Sequence, residues 1–209
     1  MFNINETTYM TRSFIITAAA VAALAVSTPV LAQSTASDAG ATVAVKLGGF
    51  SPVVDLNDAK TADFKTGVTA GAGLGYQFNP YIGVRATFDY ARTESRGAGQ
   101  STALIAGTKV NRYIYGAEIK LNAPTGSVSP YLLAGAGAVT FSPDVTNHTN
   151  FTKPAGKVGV GLDFTIPNTR AAIFVEGAGW FYKFDQNGFD KAQFDIAYTA
   201  GVSYRFGAK

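Results

Sequence analysis

The chain has 209 residues, 47% hydrophobic and 15% charged, which excludes a highly charged disordered protein and suits one folded domain. A formal charge of +3, spread along the chain without a Lys/Arg cluster, gives no footing to a nucleic-acid partner. With no Cys and a single His, His148, the sequence also excludes disulfides, thiolate chemistry and any site that needs two imidazoles.

Residues 1–32 read as a secretory signal peptide. Arg12 precedes an apolar stretch from Phe14 to about Val26, and Pro29 and the small residues ending at Ala32 set a cut before Gln33. Translation from Met1 and translation from Met10 both fit this reading. Residues 33–40 form a short lead-in, and 41–209 form the domain. Outside the N-terminus no apolar run is long enough for a helical span, and 23 Gly with 12% aromatic residues point to β structure.

Alternation of period two predicts eight strands in this domain. They fall at 42–50, 67–78, 81–92, 111–121, 130–141, 156–166, 171–184 and 194–206. In 81–92, Ile82, Val84, Ala86, Phe88 and Tyr90 oppose Gly83, Arg85, Thr87 and Asp89. In 194–206, Phe194, Ile196, Tyr198, Val202, Tyr204 and Phe206 oppose Asp195, Thr199, Ser203 and Arg205. In 111–121 the single exception to the polar face is Ile114. Segments 130–141 and 171–184 keep no clean alternation, because the first is apolar on both faces and Glu176 interrupts the aromatics of the second. Short connections at Asn79-Pro80, 124–127 and 167–170 alternate with longer ones at 51–66, 93–108, 142–154 and 185–192, all rich in turn residues.

Alternation by itself also suits a soluble sandwich, so the identity of the wetted face decides the architecture. Large rings cluster near the strand ends of the apolar face: Tyr76, Phe78, Tyr113, Phe164, Phe194, Tyr204 and Phe206, as at a membrane boundary. The opposite face carries Gly and charges of both signs, and strands of about 10–12 residues match a tilted membrane span. In hydrocarbon every unpaired backbone group costs several kcal/mol, roughly, and only a closed sheet has no edge. The fold predicted is therefore an eight-stranded antiparallel up-and-down transmembrane β-barrel. Lumen-facing Lys46, Arg85, Arg112, Lys120, Lys157 and Arg205 then meet Asp89, Glu118, Asp163, Asp195 and Glu176, a near-balanced set that favours a plugged interior over an open channel.

Other candidate sites have weaker footing. The runs GAGLG at 71–75 and GVG at 159–161 lie on strands with no helix following, which excludes a dinucleotide fingerprint and assigns the glycines to making room for Arg, Tyr and Lys from opposite strands. His148, in a polar loop, reads as an exposed loop histidine, and Ser142 and Thr149 lie near it in sequence without matching a nucleophile-base motif. The glycosylation triplets at 147–149 and 150–152 are given no functional weight. Glu176 reads as a lumen ion pair rather than a gate. No catalytic, metal or cofactor-binding residue is expected.

Three stretches, PYLLAGAGAV at 130–139, KVGVGLDFTI at 157–166 and YTAGVSYRF at 198–206, resemble the small eight-stranded outer-membrane β-barrel family of OmpX/OmpA and opacity-protein type. The resemblance covers Ala41 to the end. It implies a Gram-negative outer membrane with its lipid and lipopolysaccharide, both termini in the periplasm, long loops outside and insertion by the barrel-assembly machinery. Members commonly end on Phe or Trp, whereas Phe206 is followed here by Gly207, Ala208 and Lys209, and no wall-anchoring domain is expected. The function expected is non-enzymatic, in envelope support or surface contact through the outer loops. The alternatives are a small low-conductance porin and a lipid-modifying enzyme using His148.

Overall fold

The computed structural model describes residues 39–53, 63–96, 107–144, 150–185 and 191–207. Residues 1–38 lie outside the described set, as do His148 and the centres of the four long loops. Every regular element among the described residues is a strand: β1 (Gly40–Pro52), β2 (Asp63–Phe64), β3 (Gly67–Gln77), β4 (Ile82–Arg96), β5 (Lys109–Asn122), β6 (Val128–Pro143), β7 (Phe151–Thr165), β8 (Ala171–Phe184) and β9 (Lys191–Phe206).

The eight long strands pair with their sequence neighbours, all antiparallel, and β1 pairs with β9 through Val45↔Val202, closing the sheet into a barrel. The two-residue β2 hangs on the tip of β4 through Asp63↔Arg96 and Phe64↔Ser95. Closure leaves no unpaired edge, so the strands themselves can cross a bilayer.

Local chemistry sets the short turns. Asn79 Oδ1 accepts from the backbone N–H of Tyr81 at 2.8 Å and of Ile82 at 2.9 Å, an Asx turn joining β3 to β4. Gly126 and Asn168 take the positive φ that the β5–β6 and β7–β8 turns require, a conformation that Gly and Asn adopt at least cost.

The alternation lies inside out relative to a soluble protein. Leu47 is 71% exposed and Leu74 68%, while Arg85, Asp89, Glu118, Lys157 and Glu176 are buried. The two faces that periodicity left open are settled by register. In β6, Tyr131, Leu133, Val139 and Phe141 point in and Leu132 points out; in β8, Phe174, Glu176, Trp180 and Tyr182 point in and Ile173, Val175 and Phe181 point out.

Strand limits exceed the expected ones. β1 starts at Gly40, inside the lead-in assigned to 33–40. β4 runs to Arg96, β6 to Pro143, β7 starts at Phe151 and β9 at Lys191, each within a segment expected to be loop, and β2 lies within 51–66. The cause is a reversal of polarity at this end of the barrel. There Arg92, Glu94 and Lys109 face outward, while Phe50, Val110, Ile114, Val139 and Phe141 fill the inside. Charged residues on the outer face look like loop composition, although the ladder continues through Glu94↔Lys109 and Phe141↔Phe151. Ile114, the exception to the polar face of its strand, belongs to this inner apolar cluster.

Candidate functional site

The interior is stacked in three layers between the end with short turns and the end with long loops. The middle layer holds three cations and three carboxylates: Lys46, Arg85 and Lys157 with Asp89, Glu118 and Glu176. Arg85 Nη2 donates to Glu176 Oε2 at 2.6 Å and its Nε to Glu118 Oε1. Lys157 Nζ lies 2.6 Å from Glu118 Oε2 and 3.5 Å from Glu176 Oε1, with its ammonium 5.1 Å from the centre of the Trp180 ring. Lys46 Nζ donates to Glu176 Oε1 at 3.4 Å and stands 3.1 Å from Asp89 Oδ1, a charge contact without hydrogen-bond geometry. Tyr131 donates its hydroxyl to Glu176 Oε2 at 3.3 Å. The layer is formally neutral, and its carboxylates answer the burial cost of its cations.

Register explains how partners on non-adjacent strands meet. Lys46, Gly71 and Asp89 stand side by side on β1, β3 and β4. Glu118, Gly135 and Lys157 do the same on β5, β6 and β7, and Tyr131, Gly161 and Glu176 on β6, β7 and β8. In each row the glycine lies under a side chain reaching across it. A Cβ at Gly71 would meet Asp89 Oδ1 at 1.8 Å, and one at Gly161 would meet Tyr131 Cζ at 2.3 Å. In these three rows the glycine makes room for a side chain of an adjacent strand: Asp89 at Gly71, Glu118 at Gly135 and Tyr131 at Gly161.

Toward the loop end the interior becomes apolar around one buried charge pair. Arg112 is 0% exposed, and its Nη1 donates to Asp195 Oδ2 at 2.5 Å and to the Tyr182 hydroxyl oxygen at 3.3 Å; Tyr182 in turn donates to Asp195 Oδ2 at 2.6 Å. Its Nε and Nη2 make no hydrogen bond and instead sit among aromatic faces, with Phe50 at 5.1 Å, Phe64 at 4.5 Å and Phe141 at 5.1 Å from the guanidinium. Phe64 arrives from β2, so a segment of the first long loop folds inward and covers Arg112. Val110, Ile114, Val139, Trp180 and Tyr182 complete this plug.

At the turn end the interior opens into a cavity of about 470 Å³ that reaches Arg85 and Phe174. Lys120 donates to Asp163 Oδ2 at 2.5 Å there and lies 3.9 Å from the centre of the Tyr131 ring. Arg205, placed by the sequence in the same charge set, lines this mouth rather than the middle layer.

Of the rings singled out by the sequence, Tyr76, Phe78, Phe164, Tyr204 and Phe206 are exposed on the outer face near the turn end, with Tyr76 against Phe78 at 5.3 Å and Tyr204 against Phe206 at 4.9 Å. Tyr113 and Phe194 lie nearer the loop end, Tyr113 against Tyr90 at 5.6 Å and Phe194 stacked on Phe181 at 5.7 Å. The apolar outer face runs between these two sets. Beyond it, Lys65 hydrogen-bonds Glu94 and Lys153 hydrogen-bonds Asp185, and these bonds, with the charge behind them, hold both carboxyls below the usual carboxylate range. Ser142 is on β6, and His148 is outside the described residues.

Sequence reasoning missed Tyr131, Trp180, Tyr182, Phe50, Phe64 and Phe141 as interior residues. The signal available was the large inward-phase ring: in β6 and β8, rings at alternate positions mark the inner face once that face stops being polar.

The model of the family described as "Outer membrane protein beta-barrel domain" matches residues 18–208. No curated protein matches the chain in sequence. Among solved structures, Neisserial surface protein A superposes with a TM-score of 0.60 at 19% identity, over 80% of this chain and 99% of that one. A major outer membrane protein from Thermus thermophilus gives 0.51 at 12% identity, over 81% and 100%. The outer membrane protein AlkL gives 0.50 at 18% identity, over 85% and 95%. At these identities the likeness is one of fold, and with the inside-out faces, the closed sheet and the family match it leads to one assignment. The chain belongs to the outer membrane protein β-barrel family.

Proposed function

We propose that the protein is a non-conducting, non-enzymatic barrel of the outer membrane, whose role is envelope support or contact with surface partners through its loop end. In this reading the short turns and both termini face the periplasm, residues 1–32 are removed on export, the barrel-assembly machinery inserts the domain, and lipid and lipopolysaccharide cover its wall. The observation that carries the reading is the filled interior: a neutral ion-pair layer at mid-height and, beyond it, Arg112 fully buried under Phe50, Phe64 and Phe141. An ion crossing the barrel has to part these pairs and displace the rings, and a buried ion pair that loses one partner costs about 3–5 kcal/mol. The cavity at the turn end supports no through-path, since its inner wall is Arg85 and Phe174.

The test is single-channel recording of the refolded mature chain, residues 33–209, in a planar bilayer, after heat-modifiable gel mobility has established that it is folded. Silence is the expected result. Discrete, charge-selective steps that shift on Arg85→Gln or Glu118→Gln would make the protein a porin and overturn the reading.

A further inference from the structure

One lysine and one carboxylate of the middle layer are placed for more than a charge contact. A row of residues in register runs round the wall through Phe174, Gly201, Lys46, Gly71, Asp89 and Ile114, on β8, β9, β1, β3, β4 and β5. The glycines on either side of Lys46 leave space that the next residues take. A Cβ at Gly201 would meet Phe174 Cζ at 2.5 Å, and one at Gly71 would meet Asp89 Oδ1 at 1.8 Å. The Phe174 ring therefore lies over one glycine and the Asp89 carboxyl over the other. The pair is enclosed in its row by two buried apolar side chains, Phe174 and Ile114.

Inside this enclosure Lys46 Nζ stands 3.1 Å from Asp89 Oδ1, and Oδ1 accepts no hydrogen bond. Among the described residues Lys46 is the one cation paired with Asp89, whereas Glu118 is held by both Arg85 and Lys157. The same Lys46 nitrogen lies 3.4 Å from Glu176 Oε1, and Arg85 fixes Glu176 by donating to its other oxygen at 2.6 Å. An amine, a carboxyl group and a second carboxylate able to carry a proton are the parts that amide formation needs. Holding them together in a water-poor interior replaces a bimolecular encounter by an intramolecular one, with effective concentrations of about 10⁵–10⁸ M in well-oriented cases.

We propose that Lys46 and Asp89 condense into an isopeptide bond in the folded barrel, with Glu176 as the proton carrier. A proton first passes within the pair, from Lys46 Nζ to the Asp89 carboxylate, leaving an amine and a carboxylic acid. Nζ then attacks Asp89 Cγ and the C–N bond forms. Glu176 takes a proton from that nitrogen and returns it to the departing hydroxyl, the Cγ–O bond breaks, and one water leaves. Nothing is oxidised or reduced, and the layer stays neutral because one cation and one carboxylate disappear together. Removing both charges from an enclosure that solvates them poorly favours the product. The bond ties β1 to β4 across β3, and it does not depend on whether the barrel conducts.

The test is the intact mass of residues 33–209, measured on the chain kept in urea and on the same chain refolded in detergent micelles, with folding established by heat-modifiable mobility. The expected result is the full sequence mass in urea and a mass lighter by one water molecule after folding. Trypsin should then leave residues 33–60, uncut at Lys46, joined to residues 86–92. Lys46→Arg keeps the charge but not the amine and should fold at full mass. Glu176→Gln should slow the loss of water about a hundredfold or more, the scale of removing a general acid–base group. If either variant fails to fold, the wild-type mass and its tryptic map decide alone. Folded wild-type chain at full mass would overturn the proposal, and so would water loss already present in urea or mapped to other residues. A folded Glu176→Gln chain that condenses at the wild-type rate would overturn the role given to Glu176.

Discussion

Arg112 shows why a barrel interior can hold charge at all. A guanidinium with no exposure and two nitrogens without hydrogen bonds is tolerated because Asp195 supplies the opposite charge at 2.5 Å and three Phe rings present their electron-rich faces. Removing the cation alone strands Asp195 in the same apolar surroundings. Arg112→Ala should therefore lower stability by about 3–5 kcal/mol in denaturant unfolding followed by heat-modifiable mobility. Replacing both partners with apolar side chains of similar size, Arg112→Met with Asp195→Leu, should cost much less. Equal losses in the two variants would count against a paired-charge account and in favour of packing alone.

At the scale of strands, the informative residues are the glycines between charges. Antiparallel neighbours in register place side chains of one face about 5 Å apart, so a partner two strands away is reached only over a residue without a Cβ. The rows through Gly71, Gly135 and Gly161 use this device three times. Gly161→Ala should force Tyr131 off Glu176 and cost about 1–3 kcal/mol, as overpacking does. Gly177 is the control: a Cβ there meets nothing within 4 Å, and Gly177→Ala should leave the unfolding midpoint unchanged. A sequence shows that glycines alternate with apolar residues, but not that a charged or aromatic side chain of the next strand lies over each one. The reversal of polarity toward the loop end belongs to the same scale. Where the wall leaves the hydrocarbon, water wets its outer face and the core moves inside, so one strand such as β5 carries Glu118 inward at one height and Ile114 inward at another.

For the whole molecule, the exposed apolar band is the property a bilayer demands and water penalises. Leu47 lies between Ala70 and Ala200 on the outer face. Leu47→Arg should destabilise the barrel in a bilayer by about 2–4 kcal/mol, the cost of a cation near the midplane, whereas Ser127→Arg on an exposed turn should be neutral. The readout is the folded fraction in vesicles over a denaturant series. Indifference to Leu47→Arg would mean that this face does not meet lipid. Closure is equally a property of the whole: β1 and β9 lie at opposite ends of the described chain, and their pairing removes the last sheet edge.

The eight long strands, the face that meets lipid and most of the buried charges were legible from the sequence, because period-two alternation is local and hydrocarbon admits only closed sheets. Tertiary structure alone decided which charge meets which: that Glu176 is shared by Lys46, Arg85 and Lys157, that Arg205 lines the mouth, and that Phe64 turns back from a loop to cover Arg112. These contacts join residues up to 130 positions apart in the chain. They depend on register and on the closing β1–β9 seam, and a one-residue shift of a strand would exchange its two faces and undo every pair it makes.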